Sequence, residues 1–366
     1  MNFLFDLIPT LIVLGILILV HEWGHFIACR ISKVRVEKFS IGFGPELIKI
    51  QGKGTRYVIS LFPFGGYVKP AGESLSDIEG ETPKPHDYLA APVWKRIFIV
   101  TAGVGMNYLL SFVLFVVIFL MGRPVPLAKI GGFVEGYPAE ASGMVKGDQI
   151  LALGNTPVNS WEDLTELLSQ TSGPEVELEI ERGNKAKKIR IPLRVESVKD
   201  VFGQMHQVAR LGILPDREAY RTEKLSLLPA LREACVTEYH LTAMTYKGIF
   251  FLITGRLSLK TVSGPIGIMT MTGAAAKMGV IYLLHLTAIL GISLAVINLL
   301  PVPALDGGHL FFLLIEGLTR RKVSLQFQER ATQAGFALLM ILMVLVLYND
   351  ILNLQVIERV KQVLSR

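Results

Sequence analysis

Long apolar stretches alternate along this chain with polar, basic intervals. Four of the stretches, 4–28, 97–121, 280–300 and 331–347, reach the roughly 17–25 residues that a helix needs to cross a bilayer. The first has no positive leader and no small-residue cleavage site, so it reads as a span and not as a signal peptide. Between the first two spans, 34–50 and 56–68 alternate apolar and polar positions, the period of half-buried strands. Gly52-Lys53-Gly54 between them predicts a hairpin turn. Residues 70–92 are rich in Pro, Gly and acid and read as a loop.

The pattern changes after the second span. Residues 127–195 predict a soluble module with strands at 130–134, 149–153 and 175–180 and a helix over 161–170. Residues 196–230 read as a polar connector. Over 231–257, Glu233, Glu238, His240 and Lys247 sit among apolar residues, which predicts an amphipathic helix lying in the membrane interface. At the end, Ile357, Val360 and Leu364 share one helical face, which predicts a surface helix. The layout expected is therefore 1–121, two spans with a β-hairpin region; 127–195, an inserted α+β domain; 196–279, a connector with an interfacial helix; 280–348, two more spans; and 349–366, an amphipathic tail. The fold class is an α-helical polytopic membrane protein with a membrane-associated β-region. There is no internal repeat or low-complexity tract.

Composition supports a membrane as solvent. Of 366 residues, 51% are hydrophobic and 19% charged, the latter below the roughly 25% usual for soluble domains. Mean hydropathy is +0.46. The net charge of +6 comes from basic residues flanking the apolar runs, among them Lys33, Arg35, Lys49, Lys53, Lys95-Arg96 and Arg320-Arg321-Lys322. That is an orientation signal, placing 30–96 in the cytoplasm and both termini and 122–279 outside. No nucleic-acid motif is present. Cys29 and Cys235 make no disulfide framework and are expected as free thiols on opposite sides of the membrane. Oligomeric state is not written in the sequence, and a monomer is the expectation.

Chemistry enters inside the first span. His21-Glu22-Trp23-Gly24-His25 puts two imidazoles on one helical face, about 5–6 Å apart at Cβ, within reach of one zinc ion. Glu22 beside the first imidazole is placed to take a proton from zinc-activated water. Such groups inside an apolar helix are costly without a function. A catalytic zinc needs a third protein ligand and an open position. Outside the motif, Asp306 is the acid in an apolar setting, in Asn298-Leu-Leu-Pro301-Val-Pro303-Ala-Leu-Asp306-Gly307-Gly308-His309. Pro301 and Pro303 break the helix, and non-helical backbone at membrane depth belongs beside a cavity. Two alternatives stay open on this reading: Asp306 as the N-cap of a helix starting near His309, and His309 as the ligand. Asn298 is either a polar helix end or a donor to the substrate or developing oxyanion.

These residues resemble the site-2 protease group of intramembrane metalloproteases, of the bacterial regulator-of-sigma-E type. The resemblance is carried by 21–26 and 298–309, by Phe39-Ser-Ile-Gly42-Phe-Gly44-Pro45 and Pro63-Phe-Gly65-Gly66-Tyr67-Val68, and by Ser263-Gly264-Pro265-Ile266-Gly267. It implies one Zn2+ held by His21, His25 and Asp306, with Glu22 as catalytic base. It implies substrate contacts from Asn298, Pro301, Gly42, Gly44, Gly65 and Gly66. It further implies a plasma-membrane enzyme cutting single-span proteins, such as anti-sigma factors and remnant signal peptides, after a first external cut. The 127–195 stretch, with 130–151 as its signature, resembles a PDZ domain, a module that binds extended peptides by strand addition. Many relatives carry two in tandem, and there is room here for one. Two other classes compete: a membrane scaffold with a structural metal or none, and a transporter, which predicts repeated broken helices that this sequence lacks.

Overall fold

The structure, a computed structural model, describes residues 3–73, 83–171, 173–199, 205–216 and 218–353. Helix α1 (Phe3–Ile31) leads into strands β1 (Val36–Gln51) and β2 (Arg56–Pro70), then α2 (Val93–Met121). Short elements follow: β3 (Arg123–Pro126), β4 (Ile130–Phe133), α3 (Pro138–Ala141), β5 (Gln149–Leu153), β6 (Thr156–Pro157), α4 (Trp161–Gln170), β7 (Glu175–Arg182), β8 (Lys185–Pro192), β9 (Arg194–Lys199), β10 (Met205–Arg210), β11 (Ile213–Pro215) and β12 (Tyr220–Glu223). The chain returns to long helices with α5 (Leu227–Ile253), α6 (Pro265–Met278), α7 (Val280–Asn298), α8 (Asp306–Thr319) and α9 (Leu325–Asn353). The tail helix expected at the C-terminus falls mostly on 354–366, outside the described residues.

Helices α1, α2, α7 and α9 are long and apolar enough to cross a membrane, and the protein is a multi-pass membrane protein. Helix α9 starts at Leu325, ahead of the 331 read from hydropathy. Its first turns carry Gln328, Glu329 and Arg330, and backbone hydrogen bonding continues the helix through polar residues that an apolar count leaves out. Helix α5 has the length of a span, at 27 residues, but is not apolar enough to be one. The 196–230 stretch is more than a connector. It contains β10 to β12, and β11 and β12 pair antiparallel with β4 and β3. Three- and four-residue strands bury too few alternating positions to stand out by periodicity.

The chain folds as two units. One comprises Phe119–Pro229 and Thr254–Leu257. Its four-stranded sheet has the order β6-β5-β7-β8, and Ile130, Ile150, Leu164, Leu178, Ile180 and Ile191 fill its core with α4. Ser160 caps α4 by accepting from Asp163 N–H, while the Asp163 carboxylate accepts from Ser160 N–H, a capping box.

The other unit comprises Met1–Ile118, Ala230–Ile253 and Ser258–Arg366. Its helices meet where side chains are small or polar groups pair, as expected when lipid removes the hydrophobic drive between them. Gly24 of α1 leaves no space for a side chain against the Ala102 carbonyl of α2. Ser111 of α2 donates to the Ala288 carbonyl of α7 at 3.0 Å. Arg96 of α2 makes a buried two-pronged pair with Glu316 of α8, at 3.1 and 2.6 Å. Asp350 of α9 accepts from the Gly264, Ile266 and Gly267 amides at 2.9–3.0 Å. That clasp satisfies the first amides of α6, which have no intrahelical partner, and gives the Ser263–Gly267 motif a structural purpose.

Strands β1 and β2 both bend, so two strands build four segments. Their order is 46–51, 56–60, 38–41 and 66–69. Gly42 (φ 88°), Gly44 (φ 87°) and Gly65 (φ 112°) form the bends, in a backbone region closed to most side chains. Segment 66–69 is an edge that lies against α1, where the Cβ direction of Gly66 meets Ile18 and Glu22.

Candidate metal centre and active site

Two elements deliver one cluster. One turn of α1 carries His21, Glu22 and His25, and the first residue of α8 is Asp306. His21 Nε2 and His25 Nε2 are 3.1 Å apart. Asp306 Oδ2 lies 3.1 Å from the first and 3.4 Å from the second. Ligands about 2.0–2.1 Å from a tetrahedral zinc stand about 3.3 Å from one another, so the triangle has the size of one face of such a site. Asp306 Oδ2 is buried and accepts no hydrogen bond, an arrangement that a cation, not a proton donor, completes. Among the described residues this is the group of His, Cys, Asp and Glu able to share one ion.

Both imidazoles are held from behind. His25 Nδ1 is 2.8 Å from the Ile99 carbonyl of α2. A carbonyl only accepts, so Nδ1 carries the hydrogen and Nε2 faces the centre bare. His21 Nδ1 is 3.4 Å from the Asn107 amide, whose Oδ1 has no partner. With His21 Nε2 bare, Nδ1 carries a hydrogen and needs an acceptor. The amide supplies one when its oxygen faces the ring, which also satisfies Oδ1. Gly103 lets α2 approach, since a Cβ there would enter both imidazole rings. Sequence reading passed over Gly103 and Asn107. The available signal was a lone Asn among apolar residues of the second span, four residues after a Gly.

The 299–305 segment is folded tightly between α7 and α8. Ala304 has φ 90°, a strained setting for a residue with a side chain. A Cβ on Gly307 or Gly308 would collide with the backbone of Leu299, Leu300 or Val302, so only glycines let α8 begin there. Asp306 is the first helical residue, Leu305 is the N-cap and no side-chain cap bond forms, which removes the N-cap reading of Asp306. His309 lies one turn further along and is outside the cluster.

A cavity of about 260 Å³ opens beside the triangle, lined by Ile18, His21, Glu22, Gly65, Gly66 and Asn298, with the 304–306 turn. Of the expected substrate contacts, Asn298, Gly65 and Gly66 thus meet at the cavity. Gly42, Gly44 and Pro301 do not line it. The first two form the β1 bend, and Pro301 is exposed.

The sequence matches Peptidase family M50 over residues 9–342. A relative from Clostridium acetobutylicum with a zinc metalloprotease name is 33% identical over 347 residues, covering 95% of this chain and 97% of its own. One from Rhizobium meliloti is 35% identical, covering 94% and 96%, and one from Clostridium perfringens is 35% identical, covering 94% and 98%; both have the same type of name. The PDZ domain of an SdrC-like protein from Listeria monocytogenes overlaps 26% of this chain and 88% of its own, at 18% identity and a TM-score of 0.19. Matched nearly end to end by such relatives, and with two imidazoles of a membrane-spanning helix and a carboxylate gathered in one ion-sized triangle, the chain belongs to peptidase family M50, the site-2 protease family, and is a zinc metalloprotease.

Proposed function

We propose that this protein performs regulated intramembrane proteolysis, with His21, His25 and Asp306 holding zinc and Glu22 as catalytic base. The observation that carries the reading is the triangle of ligand atoms, 3.1–3.4 Å on a side, with Glu22 and Asn298 lining the cavity at its open face. Bound zinc supplies Lewis-acid chemistry toward water and the scissile carbonyl. Glu22 takes a proton from the attacking water and passes it to the leaving amine. The Asn298 amide donates to the carbonyl oxygen as it gains charge. Ile18 and Leu294 contribute apolar side chains to the cavity wall beside these groups.

A transmembrane substrate must unwind before hydrolysis, because its carbonyls are bonded within its own helix. Freed backbone groups need partners in a dry interior. The 66–69 edge beside Glu22 offers them by strand addition. Single-span membrane proteins, with anti-sigma factors and remnant signal peptides as classes, suit this requirement after an external cut has shortened them. Basic flanks support a plasma-membrane topology with the active site near the cytoplasmic face. The 127–195 module, read as an extracytoplasmic PDZ domain, then meets the trimmed end.

The test compares wild type with Glu22→Gln in a reporter with one membrane segment. Equal zinc content with cleavage lost is expected. Retained cleavage by Glu22→Gln would remove the base assignment.

A further inference from the structure

We propose that a cationic cavity at the C-terminal end of α1 is a binding site for the phosphate headgroup of an anionic phospholipid. The cavity has a volume of about 510 Å³ and is lined by Arg30, Lys33, Arg35, Lys53 and His86. Three separate backbone segments contribute: the exit from α1, the turn between β1 and β2, and the approach to α2. Hydrogen bonds fix the first and third of these together. Val34 N–H donates to Cys29 O at 2.8 Å and Arg35 N–H to His86 O at 2.9 Å. His86 Nδ1 lies 3.2 Å from the Lys33 carbonyl, and Lys95 Nζ donates to Ser32 O at 3.2 Å. Lys33 holds φ 62°, a left-handed conformation that turns the chain sharply at the cavity wall.

Among the described residues the charges are not neutralised from within, and Arg35 has one distant carboxylate, Asp87 at 3.8 Å. No carboxylate among the described residues pairs with Arg30, Lys33 or Lys53. Arg30 instead rests over the Phe26 ring, 5.6 Å from its centroid. Like charges gathered around one concavity repel across less than a Debye length, about 8–10 Å. A phosphodiester seated there would turn that repulsion into attraction. Arg and Lys suit the phosphate through charge-assisted hydrogen bonds.

Exposed apolar side chains neighbour the cavity's segments along the chain, Ile31 after Arg30 and Trp94 before the Lys95 that reaches Ser32 O, which favours a lipid over a soluble anion. Ile31 and Trp94 are each 65% exposed, and Trp94, carrying Lys95 over its ring at 5.5 Å, has the amphipathic form of a membrane-interface anchor. Acyl chains would run along these side chains while the headgroup stays among the cations. Basic pockets at the ends of membrane helices bind headgroups in this manner. The assignment is independent of the protease reading, since none of these residues touches the metal cluster.

The test uses the full-length chain in detergent and native mass spectrometry, with phosphatidylglycerol, phosphatidylcholine or inorganic phosphate as the probe. Arg30→Gln, Lys33→Gln and Lys53→Gln are combined in one variant. Arg320→Gln, Arg321→Gln and Lys322→Gln, removing equal charge from another basic loop, form the control. Wild type and control are expected to retain phosphatidylglycerol over phosphatidylcholine, with at least a tenfold loss in the cavity variant. Equal retention by all three proteins, or an equal loss in both variants, would reduce the cavity to diffuse charge and overturn the proposal. Displacement of the lipid by millimolar inorganic phosphate would overturn the lipid assignment in favour of a soluble anion. Circular dichroism checks the fold. If the combined variant fails to fold, Lys53→Gln alone, on the exposed turn, should weaken retention about threefold, and no change would count against the site.

Discussion

The carbonyl oxygen of Pro303 occupies the place where a side chain on Gly335 would begin. Helix α9 is mostly exposed along its length, yet Gly335 is buried, pressed on the segment that ends in Asp306. The glycine Cα–H faces the carbonyl, a weak contact that recurs where helices come close. Helix α9 therefore acts as a backstop for Asp306, the third ligand of the proposed zinc site. Gly335→Ala should push Pro303 and displace Asp306. Overpacking of this kind costs about 1–3 kcal/mol, so zinc affinity and kcat should each fall about tenfold, with KM little changed. Chelator competition and reporter cleavage check this, and Ala334→Leu on the exposed side of the same helix should match wild type.

This backstop marks the limit of what the sequence makes legible. The proposed zinc helix stands out because its pattern is local: two histidines four apart, with a glutamate between them. Asp306 stands out because two prolines and two glycines break a span beside a lone acid, but the sequence left its N-cap reading open until the structure placed the cap at Leu305. Gly335, Gly103 and Asn107 act across helices, through close approaches that one chain's periodicity does not encode. The β-region is half legible. Alternation identifies both strands and Gly52–Gly54 the turn, but the double bend that makes 66–69 an edge arises from where Gly42, Gly44 and Gly65 take positive φ. Strands β10 to β12 carry no clear alternation of apolar and polar positions, and β11 and β12 are only three and four residues long. The expected contacts at Gly42, Gly44 and Pro301 do not meet the cavity, since motif membership does not say which residues share a wall.

Asn107 is fully buried, and its amide is the group facing His21 Nδ1. Partners behind metal-bound histidines typically contribute 10–100-fold in affinity or activity. Asn107→Ala should weaken zinc binding within about that range and leave His21 free to turn. Asn107→Asp keeps an acceptor on the same atom and should retain more zinc than the alanine variant. Competition against a fluorescent chelator reads both, and equal losses in the two variants would mean that packing, not the hydrogen bond, is what Asn107 supplies.

A pH-dependent element lies in the 119–229 unit. Asp148 has its side chain 1% exposed and receives Arg182 Nε and Nη2, each at 2.7 Å, with Val145 N–H at 2.9 Å. Burial alone would raise its pKa. The Arg182 pair and the Val145 amide outweigh it and hold the carboxyl below its ordinary 3.8. The folded unit thus binds the Asp148 proton less readily than the unfolded chain, so stability rises with pH across this titration. The contribution is complete above the unfolded value, begins to decline as the pH drops through about 4, and is lost once the pH falls through the folded value. Asp148→Asn should abolish this acid-limb loss. At neutral pH it should cost roughly 1–2 kcal/mol, a figure kept small because Arg182 is partly exposed. Trp161 fluorescence in a Trp23→Phe, Trp94→Phe background, followed through thermal unfolding between pH 3 and 7, would measure both effects; parallel acid limbs in the parent and the Asp148→Asn variant would assign the pH dependence to other groups.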